Sequence, residues 1–138
     1  MLKRFYLDTS IWLDFFENRN EPNLPKGKWA RALVNKIIKN NYKIVISEAV
    51  KNEMLVLGYS RYQIEDMLLP FSKILIEVYS TEKQRGKAKD LSKKRNIPLF
   101  DALHTLIARD SKAILITLDN HFQKLTDITK SHKPREFI

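Results

Sequence analysis

Four short runs dominated by apolar residues, each followed by a segment of helical spacing, constrain the fold of this chain more than any other feature. They are KRFYL (3–7), KIVI (43–46), KILIEV (73–78) and AILIT (113–117). A strand with one wet face alternates apolar and polar residues, whereas a strand covered on both faces reads as a solid run, as these do. After the first run, Ile11, Phe15 and Asn18 keep helical spacing, and Ala30, Leu33, Val34, Ile37 and Ile38 form the stripe of a core-facing helix, with Gly27 before it and Asn40-Asn41 after it. Ser47 is placed to cap a helix through about Leu57, with Val50, Met54 and Leu57 on its inner face and Gly58 as its stop. Further helices are expected from Ser60 to Leu69 before Pro70, over 81–96, and from Pro98 through Ser111, the last carrying Leu99, Leu103 and Leu106. Strands alternating with helices predict an α/β fold of three layers, α/β/α, around a central and mostly parallel sheet.

With 138 residues, the chain is expected to be one domain spanning 1–138, since two independent units would each be too small to bury much surface. Lys and Arg number 25 against 16 Asp and Glu, a net charge of +9 that favours polyanions and makes nucleic acid the first partner to consider. The stretch 83–95 carries seven of these cations against Asp90 alone and reads either as a solvated helix face or as an RNA contact. Cysteine is absent, which excludes disulfides, thiolate metal sites and a cysteine nucleophile. No apolar run exceeds 4 residues, far below the roughly 18 of a spanning helix. Lys3-Arg4 lead through Phe5-Tyr6-Leu7 straight to Asp8, unlike a signal peptide. A soluble, cytoplasmic protein with no membrane association is the expectation.

In a parallel α/β sheet, ligands bind outside the carboxyl ends of the strands, so acids there are worth collecting. Asp8 follows the first strand directly, Asp119 follows AILIT with Leu118 between, and Asp101 lies in the first turn of the helix opened by Pro98. Glu53 sits ~9 Å along the helix after KIVI, and its side chain leans back toward the helix start. Each acid alone has an ordinary reading: a cap for Asp8, a first-turn carboxylate for Asp101, a turn former for Asp119. Four carboxylates converging on one crevice repel one another unless a cation sits among them. Without Cys or clustered His, such a group suits Mg²⁺ or Mn²⁺ rather than Zn²⁺. Thr9, Ser10 and Thr117 lie beside the acids as candidate donors or water holders, or as caps and turn formers.

Together, YLDTSIWLDFF, ISEAVKNEM and PLFDALHTLIARDSKAILITLDNHF resemble the PIN-domain family of metal-dependent ribonucleases, in particular its VapC-type toxins, over nearly the whole chain. The resemblance rests on an Asp after the first strand, a Ser-x-x-Val-x-x-Glu helix start, an Asp-Ala-Leu-His helix and a Thr-x-Asp-x-x-Phe strand end, in that order. It implies that Asp8, Glu53, Asp101 and Asp119 are the family's acidic quartet, and it favours Glu53 over Glu48, which then serves the helix dipole. Two positions depart from the pattern. His121 stands where some relatives carry a further acid, and Phe100 where many place a small residue. His104, one turn from Asp101, is read as packed or solvent-exposed, with a phosphate contact as the alternative.

The function so implied is endonucleolytic hydrolysis of single-stranded RNA, with Asp8, Asp101, Asp119 and Glu53 holding Mg²⁺ or Mn²⁺ and the products ending in 5′-phosphate and 3′-hydroxyl. A cognate antitoxin and a homodimer through 59–71 are the implied protein partners. The alternatives are a stand-alone RNA-processing nuclease and a non-catalytic RNA- or partner-binding module. An aspartyl phosphatase of the Asp-x-Asp type is disfavoured because Asp8-Thr9-Ser10 lacks the second acid, and a dinucleotide enzyme because Gly27, Gly58 and Gly86 are isolated from one another. Trp12, Phe16 and Phe122 are candidates to stack on bases, but aromatics at helical spacing are more simply core.

Overall fold

The computed structural model describes residues 3–138, so the first two residues of the expected domain lie outside it. Five strands, β1 (Arg4–Leu7), β2 (Lys43–Ser47), β3 (Leu75–Val78), β4 (Ile114–Ile116) and β5 (Ser131–His132), form one sheet in the order β3-β2-β1-β4-β5. Every pairing is parallel, where the sequence predicts a mostly parallel sheet. The solid apolar runs have the burial expected of a covered sheet: Phe5, Tyr6, Leu7, Ile44, Val45, Ile46, Leu115 and Ile116 are all buried.

Helices α1 (Thr9–Glu17), α2 (Lys26–Lys39), α3 (Glu48–Val56), α4 (Arg61–Leu68), α5 (Glu82–Arg95) and α6 (Leu99–Asp110) flank the sheet. α1 packs on α2, while α5 packs on α6, which also meets α3. Their buried side chains join the strands in one continuous core, with Trp12 and Phe122 inside it and Phe15, Phe16 and Phe71 in an aromatic cluster against Trp12. Of the stacking candidates, Trp12 and Phe122 are core, and Phe16 is partly buried against Trp12. Among the described residues, no helix is long and apolar enough to cross a membrane.

Helix ends follow local chemistry with some corrections. Ser60 and Thr81 each close a capping box, with Gln63 and Gln84 reaching back to them. Gly58 has φ +105°, the left-handed stop expected after α3. Gly27 lies inside the first turn of α2 rather than before it. A Cβ there would come within 2.8 Å of the Asn18 backbone, so only glycine permits α1 and α2 to approach this closely. Ile38, Leu57 and Leu99, expected on inner faces, are exposed, because each lies at or next to a helix end that runs past the core. The segment after β4 escapes the apolar-run criterion: a 3₁₀ turn at Asn120–Leu125 and a two-residue β5 are too short to leave a periodicity.

Candidate metal centre

β1 ends at Leu7, and Asp8 adopts the extended backbone of a helix cap, so its side chain turns back over the sheet edge. Oδ1 accepts hydrogen bonds from the Ile11 amide (3.0 Å) and Ser10 Oγ (2.7 Å), and Oδ2 from Thr117 Oγ1 (2.6 Å). The capping reading of Asp8 therefore holds alongside any functional one. Burial nonetheless raises its pKa, against the pull of those three donors. Thr117 in turn accepts from the Asp119 amide at 3.0 Å, so one hydroxyl from the end of β4 joins two of the acids.

Asp101 and Asp119 meet on the other side of the crevice. Asp101 lies in the first turn of α6 with only 8% of its surface exposed, and its Oδ2 has no hydrogen-bond partner among the described residues. His121 Nδ1 lies 3.3 Å from that oxygen, outside hydrogen-bond alignment, and 3.0 Å from Asp119 Oδ1. Asp119 Oδ1 also accepts the His121 amide at 2.8 Å, so the turn-forming reading of this acid is realised as well. Burial, and next the charge of Asp119, push the Asp101 carboxyl up to about 7, with Asp8 and Glu53 adding to the rise. Among the described residues, the donor atoms brought within 4.8 Å of one another are those of Asp101, Asp119 and His121; Asp8 and Glu53 stand outside that group but near enough for their charge to act on Asp101.

Glu53 approaches from α3 and is held by the protein. Its Oε1 lies 2.9 Å from Nε2 of His104, a residue buried in α6, and Thr9 Oγ1 lies 3.3 Å from the same nitrogen. Although burial works to raise its pKa, hydrogen bonds from His104 and Thr9 leave the Glu53 carboxyl below the ordinary range. The chain continues inward: His104 Nδ1 lies 2.7 Å from the Tyr6 hydroxyl, which lies 2.7 Å from Ser47 Oγ. Ser47 therefore spends its hydroxyl on Tyr6 and makes no side-chain cap for α3, contrary to the sequence expectation.

The family model described as PIN domain matches residues 5–128. The chain belongs to the PIN-domain family. Solved structures share its fold: a toxin-antitoxin complex from Klebsiella pneumoniae at TM-score 0.64 and 17% identity, covering 94% of this chain and 97% of that one. VapBC2 from Rickettsia felis, bound to a DNA fragment from their promoter, gives 0.65 and 18%, covering 94% and 98%. A Pyrobaculum aerophilum protein gives 0.60 and 15%, covering 98% and 91%. No curated protein matches the sequence significantly.

Within this PIN fold, Glu48 is committed elsewhere. Its two oxygens accept from the amide and hydroxyl of Ser80, and Arg85 donates to the same serine, so Glu48 fastens the start of α3 to the start of α5 in addition to lying in a first turn. Phe100 is half-buried with its ring stacked on His104. On α5, Arg85 and Arg95 are tied to Ser80 and Asp127, whereas Lys83, Lys87, Lys89, Lys93 and Lys94 are exposed and available to a polyanion.

Sequence reasoning missed two participants. His104 as the partner of Glu53 had one available signal: α6 is buried continuously from Asp101 to Ala108, and a histidine inside such a run must find polar partners. His121 is noted in the sequence only as a departure. Its place between Asp101 and Asp119 depends on the 3₁₀ turn that Asp119 caps, which no periodicity announces.

Proposed function

We propose that this PIN-domain protein is a metal-dependent endoribonuclease that hydrolyses phosphodiester bonds of single-stranded RNA, and that it is the toxin of a toxin-antitoxin pair. The observation that carries the reading is the buried Asp101 oxygen with no hydrogen-bond partner, set among three further carboxylates that raise its pKa. A buried, unpaired carboxylate is costly by itself, and a divalent cation supplies the missing counter-charge. The donor set fits such an ion: oxygen ligands without thiolates suit Mg²⁺ or Mn²⁺. Asp101 and Asp119 would hold it, with Asp8 and Glu53 completing the acidic group directly or through water. When bound, the ion supplies activation of a water nucleophile and neutralisation of charge at the scissile phosphate.

The chain's own residues prepare that chemistry. Thr117 fixes Asp8 from β4, and Ser10 and the Ile11 amide hold its other oxygen, so Asp8 is oriented before any ligand arrives. His104 and Thr9 do the same for Glu53, leaving its second oxygen to orient a water or reach the ion. The exposed lysines of α5 offer phosphate contacts to an RNA strand. The toxin reading draws on the folds shared with the Klebsiella pneumoniae toxin-antitoxin complex and with VapBC2 of Rickettsia felis. It carries with it a cognate antitoxin, a cytoplasmic location and one domain over 1–138. A homodimer would use exposed apolar residues of the 59–71 segment, among them Tyr62 and Leu69.

The test is incubation of end-labelled single-stranded RNA with the protein in Mn²⁺, in Mg²⁺ and in EDTA, beside an Asp101→Asn preparation. Cleavage that needs both the ion and Asp101, and leaves 5′-phosphate ends, is expected. Cleavage surviving in EDTA, or a 2′,3′-cyclic phosphate product, defeats the mechanism. Salt-sensitive RNA binding that is indifferent to EDTA, with no cleavage, shifts the assignment to a binding module.

A further inference from the structure

The position of His121 bears on which ion the site takes. Among the described residues, Asp101, Asp119 and His121 are the three metal-ligating types whose donor atoms lie within 4.8 Å of one another. Nδ1 is 3.0 Å from Asp119 Oδ1 and 3.3 Å from Asp101 Oδ2, close to the ~3 Å that separates adjacent ligands around an octahedral ion with bonds of about 2.1 Å. Side-chain hydrogen bonding does not account for this arrangement: the imidazole lies near both carboxylates without an aligned bond to either, and the buried Asp101 oxygen faces the same nitrogen. Two carboxylate oxygens and one imidazole nitrogen thus converge on a single point. The outer ring nitrogen remains free to carry the proton, since the His121 side chain is half exposed.

We infer that His121 is a ligand of the divalent ion and that its nitrogen, in a group otherwise built of oxygen, makes the site prefer Mn²⁺ to Mg²⁺. The inference rests on the metal-dependent reading above and adds a residue and a selectivity to it. Mg²⁺ demands oxygen and gives up water reluctantly, whereas imidazole binds Mn²⁺ and the later first-row ions readily. His121→Asp gives an all-oxygen set and removes the discrimination.

The experiment is direct binding of Mn²⁺ and Mg²⁺ to the full chain by calorimetry, with pulsed electron paramagnetic resonance of the Mn²⁺ complex, for the wild type, His121→Asp, His121→Ala and Asp101→Asn. The wild type should show the modulation of a directly bound nitrogen, absent in both His121 variants. The ratio of Mn²⁺ to Mg²⁺ affinity should fall about tenfold or more in His121→Asp, the scale on which even an outer partner tunes a metal site. Nitrogen coupling missing from the wild type, or a ratio unchanged in His121→Asp while Asp101→Asn abolishes binding, overturns the role of His121 and leaves the metal centre standing. Failure of the wild type to bind Mn²⁺ at all overturns the proposed function itself, and this inference with it.

Discussion

The two sides of the carboxylate crevice are built on opposite principles. Asp8 is buried and fully engaged, with one amide and two hydroxyls on its oxygens, and Glu53 is gripped by a histidine that is itself anchored to Tyr6. Asp101 is buried and left wanting, with an oxygen that nothing among the described residues satisfies. The first side is satisfied by the protein's own donors and serves the fold as much as any chemistry, while the second keeps an oxygen that a cation would satisfy. Burial of an acid therefore does not by itself mark a functional group. What marks it is burial without a partner.

The sharpest way to break this comparison is to remove one acid from each side. Asp101→Asn should lower metal-dependent RNA cleavage by about 10³-fold or more, measured as the single-turnover rate in Mn²⁺. Without divalent ions the same change should stabilise the fold. The Asp101 pKa of about 7 lies above its unfolded value, so the native state holds the proton more tightly and stability falls as pH rises from about 4 through 7. Replacing the acid by its neutral amide removes that loss. At pH 8 in EDTA the variant should melt at least about 3 °C higher, the shift that ~1 kcal/mol makes in a chain of this size. A lower melting temperature would mean that Asp101 already has its counter-charge in the protein.

Asp8→Ala should act with the opposite sign. It strands the Ile11 amide and two hydroxyls, and should cost about 2 kcal/mol in urea unfolding in EDTA at the same pH. His104→Ala should cost a similar amount, since Tyr6 and Glu53 both lose a buried partner, and should also reduce cleavage by releasing Glu53. Thr117→Val, nearly the same shape without the hydroxyl, should cost about 1 kcal/mol, visible as a lower urea midpoint at an unchanged slope. Glu48→Gln should have the smallest effect on cleavage. Loss of activity there comparable to that of Glu53→Gln would reverse the assignment of the fourth acid.

Much of the site was readable before the structure because its acids hang on elements with strong sequence signals. Asp8 and Asp119 follow solid apolar runs, and Asp101 follows a proline that opens a helix, so strand ends and helix starts placed them along one edge. What could not be read is how their oxygens are shared out. That Ser47 would turn inward to Tyr6 rather than cap its own helix depends on two strands lying side by side, with Tyr6 and Ser47 distant in sequence. His121 is placed by a 3₁₀ turn whose only cue is the Asp119 cap itself. Local pattern specifies which residues reach the crevice. Long-range pairing decides which of them are left unsatisfied.

The central position of β1 has a consequence for the life of the protein during synthesis. Its neighbours β2 and β4 come from far apart in the chain, and the Asp8–Thr117 hydrogen bond spans 109 positions. A polypeptide still leaving the ribosome presents Asp8 long before Thr117, Asp101 or Asp119 exist to join it, and such non-local strand pairing is slow to form. No nascent fragment that stops short of β4 carries all four acids. The acids come together only after β4 has docked beside β1, so the site is a product of the closed sheet and of no local segment.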